Sequence, residues 1–195
     1  MRQNPSILFS GLIIALSFTS CEKSLLLLSS DKVATFVVDG EVAYVNGVLG
    51  KTAHKRFEKF IEEHPDVKTL ILEDVPGSMN DEYNVQTCEL LYLKGISTKA
   101  MSYSEVASGG VDLLISGTTR TVDEGAKIGV HSWSSGDKEG IEYPIDSPEH
   151  QIFLDLFEVI GIDTAFYWYT LRAAPADSIH WMTESEIEYY NIRTE

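Results

Sequence analysis

The chain has 195 residues, carries a formal net charge of −15, and is 44% hydrophobic. Acidity on this scale argues against nucleic acid as a partner and against electrostatic capture by an anionic membrane surface. Its two cysteines form no CxxC, and no His/Cys cluster has ligand spacing, which argues against a structural zinc site.

The first predicted element is an export leader. Arg2 gives a positive start, Ile7 to Phe18 an apolar stretch, and Thr19-Ser20-Cys21 a small-residue site ending in cysteine. That stretch falls short of the roughly 20 apolar residues of a membrane span. A cysteine directly after a small residue matches a bacterial lipobox, although Phe18 stands where an aliphatic residue is usual. Cys21 is therefore the predicted lipidation site, with plain signal cleavage and a retained anchor as the alternatives. On this reading 1–20 is a lipoprotein-type signal peptide, 21–32 a tether, and 33–195 a single domain at the cell envelope.

The domain reads as alternating strands and helices. Val33–Val38 and Glu41–Val45 are strands broken by Asp39-Gly40. Thr52–Glu63 places Ala53, Phe57, Phe60 and Ile61 at helical spacing and stops at His64-Pro65. Thr69–Leu72 is a short apolar run suited to a buried parallel strand. Asp81–Lys94 is a helix with Val85, Cys88, Leu91 and Tyr92 on one face, closed by Gly95. Cys88 is read as a buried core thiol, without a partner once Cys21 is processed. A β-rich run from Lys99 leads to Ser108, and a second run, Ala126–Val130, leads to His131. Ser134–Pro148 is polar and loop-like, and helices follow at His150–Ile160, Asp163–Ala174 and Thr183–Tyr190. The order implies an α/β domain around a largely parallel sheet.

The chemistry concentrates in Glu105-Val106-Ala107-Ser108-Gly109-Gly110 and Ile128-Gly129-Val130-His131. A serine hydroxyl becomes a useful nucleophile when a nearby base takes its proton. A serine between a strand and a helix is exposed, and the first backbone N–H groups of the helix can face an oxyanion there. Both residues also have structural readings: Ser108 as a turn residue, His131 as a satisfied strand histidine.

These segments resemble the ClpP/crotonase superfamily, and most closely exported ClpP-like proteins of the bacterial periplasm. The resemblance runs from about Phe36 to Ile192. It rests on Val37-Val38-Asp39-Gly40-Glu41-Val42, on the turn Glu73-Asp74-Val75-Pro76-Gly77-Ser78, on Ala107-Ser108-Gly109-Gly110, on Ile128-Gly129-Val130-His131 with its 23-residue interval from Ser108, and on Trp181–Tyr190. It implies a fold of repeated β-β-α units around a largely parallel sheet. It also implies a nucleophilic Ser108, a general base His131, an oxyanion hole from Gly77 and Gly109, and Asp177 as the acid of a triad. No cofactor is implied. Two departures stand out: Pro76 replaces the first Gly of the usual Gly-Gly pair and has no N–H, and Asp177 is displaced by about two residues from the usual place of the acid. Asp177 also has a bland reading as a turn residue after Pro175.

His54 and His64 are read as surface residues of a helix, with His150 and His180 as reserves near the site. Tyr167, Trp168 and Tyr169 are read as helix packing. Lys127 is a secondary candidate, since related membrane-associated peptidases pair Ser with Lys. Three functions follow in order: an envelope serine hydrolase acting on a peptide or other acyl bond; a non-catalytic binding or assembly protein; and an acyl-CoA enzyme, which fits the fold but not the leader. The oligomeric state is open.

Overall fold

The computed structural model describes residues 33–195. The predicted leader, Cys21 and the predicted tether lie outside the described residues. Among the described residues, no helix is long and apolar enough to cross a membrane.

One seven-stranded sheet organises the domain, in the order β1 (Thr35–Asp39), β2 (Val42–Asn46), β3 (Thr69–Val75), β4 (Ser97–Ala107), β6 (Lys127–Val130), β9 (His180–Trp181), with β5 (Arg120–Val122) also on β4. The pairings β2–β3, β3–β4, β4–β5 and β4–β6 are parallel, while β1–β2 and β6–β9 close the two sides antiparallel. Leu70, Ile71 and Leu72 of β3 are all buried, as expected for a parallel strand covered on both faces. Helix α1 (Ala53–Glu63) buries Ala53, Phe57 and Phe60. Helix α2 (Asp81–Leu93) starts at Asn80, whose side chain accepts from the Tyr83 N–H at 2.8 Å, one of the donors that a helix start leaves unpaired. Cys88 is buried and unbridged within α2.

Strand β4 departs from the simple expectation and sets the site. Its first half pairs with β5 and its second half with β6. Between them the register against β3 jumps from Leu72↔Ala100 to Asp74↔Glu105. Ser104 holds this irregularity: its hydroxyl donates to the Leu72 carbonyl and accepts from the Met101 N–H. The second half of β4 is thereby inserted between β3 and β6, and its end, Ser108, emerges beside the ends of both.

The segment after His131 is more ordered than a polar loop. Ser134–Ser135 (β7) and Lys138–Glu139 (β8) form a small hairpin, with single 3₁₀ turns at Gly140–Glu142 and Pro148–His150. The Gly140 N–H donates to the Trp133 carbonyl at 2.7 Å, anchoring the hairpin. Helices α4 (Gln151–Ile160), α5 (Thr164–Ala173) and α6 (Glu184–Tyr189) complete the domain. Arg120 is buried and donates to the carbonyls of Gly117, Asn191 and Ile192, holding the C-terminal tail.

Candidate active site

Ser108 is the cap of the short helix α3 (Gly109–Ile115) and has φ +54°, ψ −131°. A non-glycine residue in the positive-φ region costs on the order of 1–3 kcal/mol and persists only where its surroundings enforce it. The enforcement is visible. The Ser108 N–H donates to the Gly129 carbonyl on β6 at 2.9 Å, and its own carbonyl accepts from Val111 at 2.7 Å. Behind it α3 lies hard against β3, for a Cβ on Gly110 would stand 2.4 Å from the Val75 carbonyl oxygen. Only glycine lets the helix start so close to the strand.

The Pro76-Gly77 turn closes over the serine. Gly77 has φ +144°, and a Cβ there would be 3.0 Å from Ser108 Cβ and 3.4 Å from its Oγ. The amides of Gly77 and Gly109 donate to no acceptor among the described residues.

Ser108 and His131 line one small cavity of about 50 Å³, together with Asp81, Asp112, Tyr167 and the aromatic rings of α4 and α5. Their side chains are not hydrogen-bonded to each other. His131 Nδ1 is buried and has no hydrogen-bond partner among the described residues. Burial lowers the imidazole below its usual value, opposed by the Ser132 backbone and by the charges of Asp81 and Glu139. His131 is thus held neutral near pH 7, the form that accepts a proton.

Asp177 does not complete a triad. It is exposed, and the unpaired Nδ1 of His131 shows that no carboxylate accepts from that nitrogen. Asp177 instead sits in a turn in which the Ser178 N–H donates to the Pro175 carbonyl at 3.0 Å. Lys127 is also outside the cavity lining; it pairs with Glu105 and lies over the Trp181 ring. His54 and His64 do not line the cavity. His150 is completely buried, with Nδ1 at 2.6 Å from the Tyr167 hydroxyl, which also accepts from Trp133 Nε1 at 2.9 Å. Tyr167 thus packs as expected but also lines the cavity. His180, next to Val130 across β6–β9, bonds Glu186 at 3.1 Å.

Two carboxylates at the cavity escaped the sequence reading. Asp112 stands one helical turn after Ser108, in an otherwise apolar helix. That isolated charge was the available signal. Part of Asp112 opens onto the cavity, but protein surrounds its carboxylate. Burial, reinforced by the charge of Asp81 and opposed by a hydrogen bond from Asn84, pushes the Asp112 carboxyl up to about 7. Asn84 Nδ2 donates to Asp112 at 3.2 Å and to the Gly109 carbonyl at 3.0 Å, while its Oδ1 is buried without a partner. Asp81 stands at the rim, solvent-exposed on one side, and accepts from the Ser78 hydroxyl at 3.3 Å. Crowding on its cavity side raises its carboxyl, opposed by Ser78 and by His131. Among the described residues, no group of three or more His, Cys, Asp or Glu side chains could hold a metal ion.

No family model matches the sequence, and no curated protein matches it either. The fold does match solved structures. A membrane-bound stomatin-specific protease, in a serine-to-alanine variant, aligns with TM-score 0.53 and 16% identity over 81% of this chain and 80% of its own. A member of the enoyl-CoA hydratase/isomerase family aligns with TM-score 0.55 and 13% identity over 85% and 69% of the two chains. An enoyl-CoA isomerase of Mtb aligns with TM-score 0.50 and 9% identity over 85% and 77%.

Proposed function

The chain carries the ClpP/crotonase superfamily fold, and on that scaffold we propose a serine hydrolase of the cell envelope that cleaves a peptide or another acyl bond. The observation that carries this reading is the convergence of Ser108, strained and backed by free amides, with His131 on one cavity.

In the proposed reaction, Ser108 Oγ attacks the acyl carbon while His131 takes the hydroxyl proton. The carbonyl oxygen, now negative, lies between the Gly77 and Gly109 N–H groups. Collapse breaks the bond to the leaving group, which carries away the proton from His131. Water, deprotonated by the same histidine, then releases the acid and restores Ser108. Pro76 is no obstacle, since Gly77 supplies the second amide. No cofactor enters the cycle. The tether and a lipid on Cys21 would hold the domain at the membrane.

The test is labelling with a fluorophosphonate, in which serine oxygen displaces fluoride from phosphorus and His131 takes the proton. The folded wild type is expected to label, Ser108→Ala not at all, and His131→Ala far more slowly. A folded wild type that does not label would sink the reading.

One observation favours a second reading. Asp112, pushed up to about 7 beside Asp81, is suited to exchange protons near neutrality. Acid–base chemistry on a bound acyl compound would then proceed with no covalent serine intermediate. In that case no label is taken up, and a turnover assay would lose activity in Asp112→Asn while Ser108→Ala keeps it.

A further inference from the structure

We propose that Asp81, at the start of α2, is the carboxylate that balances the His131 imidazolium during turnover, in the role that sequence position offers to Asp177. The inference rests on the serine-hydrolase reading. Its geometric basis is that Asp81 and His131 border the same cavity, while Asp177 points to solvent in a separate turn.

A general base at a serine becomes positively charged in the transition state, so a fixed negative charge close by lowers the barrier. The cavity supplies two carboxylates. Asp112, from α3, is held toward its protonated form and hydrogen-bonded by Asn84, so it offers a charge poorly below neutral pH. Asp81, from α2, is solvent-exposed on one side; burial on its cavity side raises its carboxyl, while the Ser78 hydroxyl and its electrostatic interaction with His131 oppose that rise. The other groups acting on His131 are Glu139 from β8, through its charge, and the adjacent Ser132 backbone. Tyr167 from α5 also lines the cavity, with burial raising its phenol well above its usual range. That leaves Asp81 as the carboxylate of the cavity lining that is open to solvent and is not held by Asn84.

Its location has a further consequence. Ser78, whose hydroxyl donates to Asp81 at 3.3 Å, follows Gly77 in the turn that closes over Ser108. The carboxylate therefore ties the turn that supplies one oxyanion donor to the electrostatics of the base. His131 Nδ1 has no hydrogen-bond partner among the described residues, and the hydrogen bond to the Asp81 side chain comes from Ser78. Asp81 acts as a positioning residue by charge across the cavity mouth. Such a contribution is partly screened by water and salt.

The experiment measures the His131 imidazole titration by NMR, with the resonance assigned through His131→Gln, in wild type, Asp81→Asn, Asp81→Glu and Asp177→Asn. Fluorophosphonate labelling rates are followed against pH for the same proteins. Removal of the Asp81 charge removes a force that raises the imidazole. In Asp81→Asn the His131 midpoint is therefore expected to fall, the acid limb of the labelling profile to move with it to lower pH, and the plateau rate to drop by roughly threefold to tenfold. Salt should shrink the difference between wild type and Asp81→Asn, and Asp81→Glu should restore most of the rate. Asp177→Asn should match wild type in both readouts. A His131 midpoint that stays in place in Asp81→Asn overturns the inference, even if labelling slows, because a merely structural lesion would do that. A shift in Asp177→Asn instead returns the role to that residue and equally overturns it. A midpoint that falls in a wild-type background that never labels keeps the pairing but refutes its catalytic role, together with the serine-hydrolase reading itself.

Discussion

Replacing Asp112 with asparagine removes a buried charge while keeping the shape of the side chain and an oxygen for Asn84 Nδ2. In the folded chain the Asp112 carboxyl rises from 3.8 to about 7, whereas in the unfolded chain it stays near its ordinary value. At about 1.4 kcal/mol for each pH unit, the burial costs the wild type up to about 4 kcal/mol above neutral pH. Water entering the cavity reduces that figure, so about 2–4 kcal/mol is the expected range. The direction is set by proton binding. Between pH 4 and 7 the unfolded chain releases the Asp112 proton while the folded chain keeps it, so rising pH favours unfolding. Below pH 4 both states hold the proton and above 7 both have lost it, so the effect is flat outside that window. Urea unfolding of wild type and Asp112→Asn from pH 4 to 8.5 should therefore show curves that coincide at the acid end. The variant should gain steadily as pH rises, reaching a plateau near pH 7. Titrating groups that do not interact with Asp112 cancel in the difference, while Asp81, whose charge helps raise Asp112, titrates with it as a coupled pair and is part of the measured effect. A difference that is constant with pH, or that shrinks as pH rises, would refute the assignment of a raised carboxyl to this position. Stability surrendered at a cavity next to a strained serine is the signature expected of a site kept for chemistry.

Two further predictions concern the turn over the serine and the core thiol. Gly77→Ala places a Cβ 3.0 Å from Ser108 Cβ at a φ of +144°; labelling should slow on the order of 10²-fold, with a stability loss of only about 1–2 kcal/mol, read by urea unfolding. A normal labelling rate would show that this turn does not contribute to the oxyanion site. Cys88 is fully buried, and burial pushes its thiol up, so native protein beginning after Cys21 should leave a thiol reagent unreacted until denaturant is added. Rapid reaction of the folded protein would mean that α2 opens readily.

Much of this molecule was legible as pattern. The apolar spacing of Ala53, Phe57 and Phe60 marked α1, the run around Leu70–Leu72 marked a strand buried on both faces, and Ser108 and His131 could be singled out from their neighbours alone. Local chemistry carries such signals, because a helix face, a strand run and a Gly-rich turn are properties of adjacent residues. What brings Ser108 and His131 to one cavity is not local. It depends on the register jump between β3 and β4 that Ser104 holds, which turns the second half of β4 from β5 toward β6. Nor could chain order identify the carboxylates. Asp177 lies in sequence near the place of the superfamily's acid, yet it is exposed. Asp81 and Asp112 belong to different helices and become neighbours of His131 only when α2 and α3 pack over the ends of the sheet. Their pKa directions arise from that packing, since desolvation and mutual repulsion depend on distance through space and not along the chain. The sequence by itself determined the α/β alternation, the core faces and the candidate pair Ser108 and His131; tertiary structure alone decided which charges surround that pair.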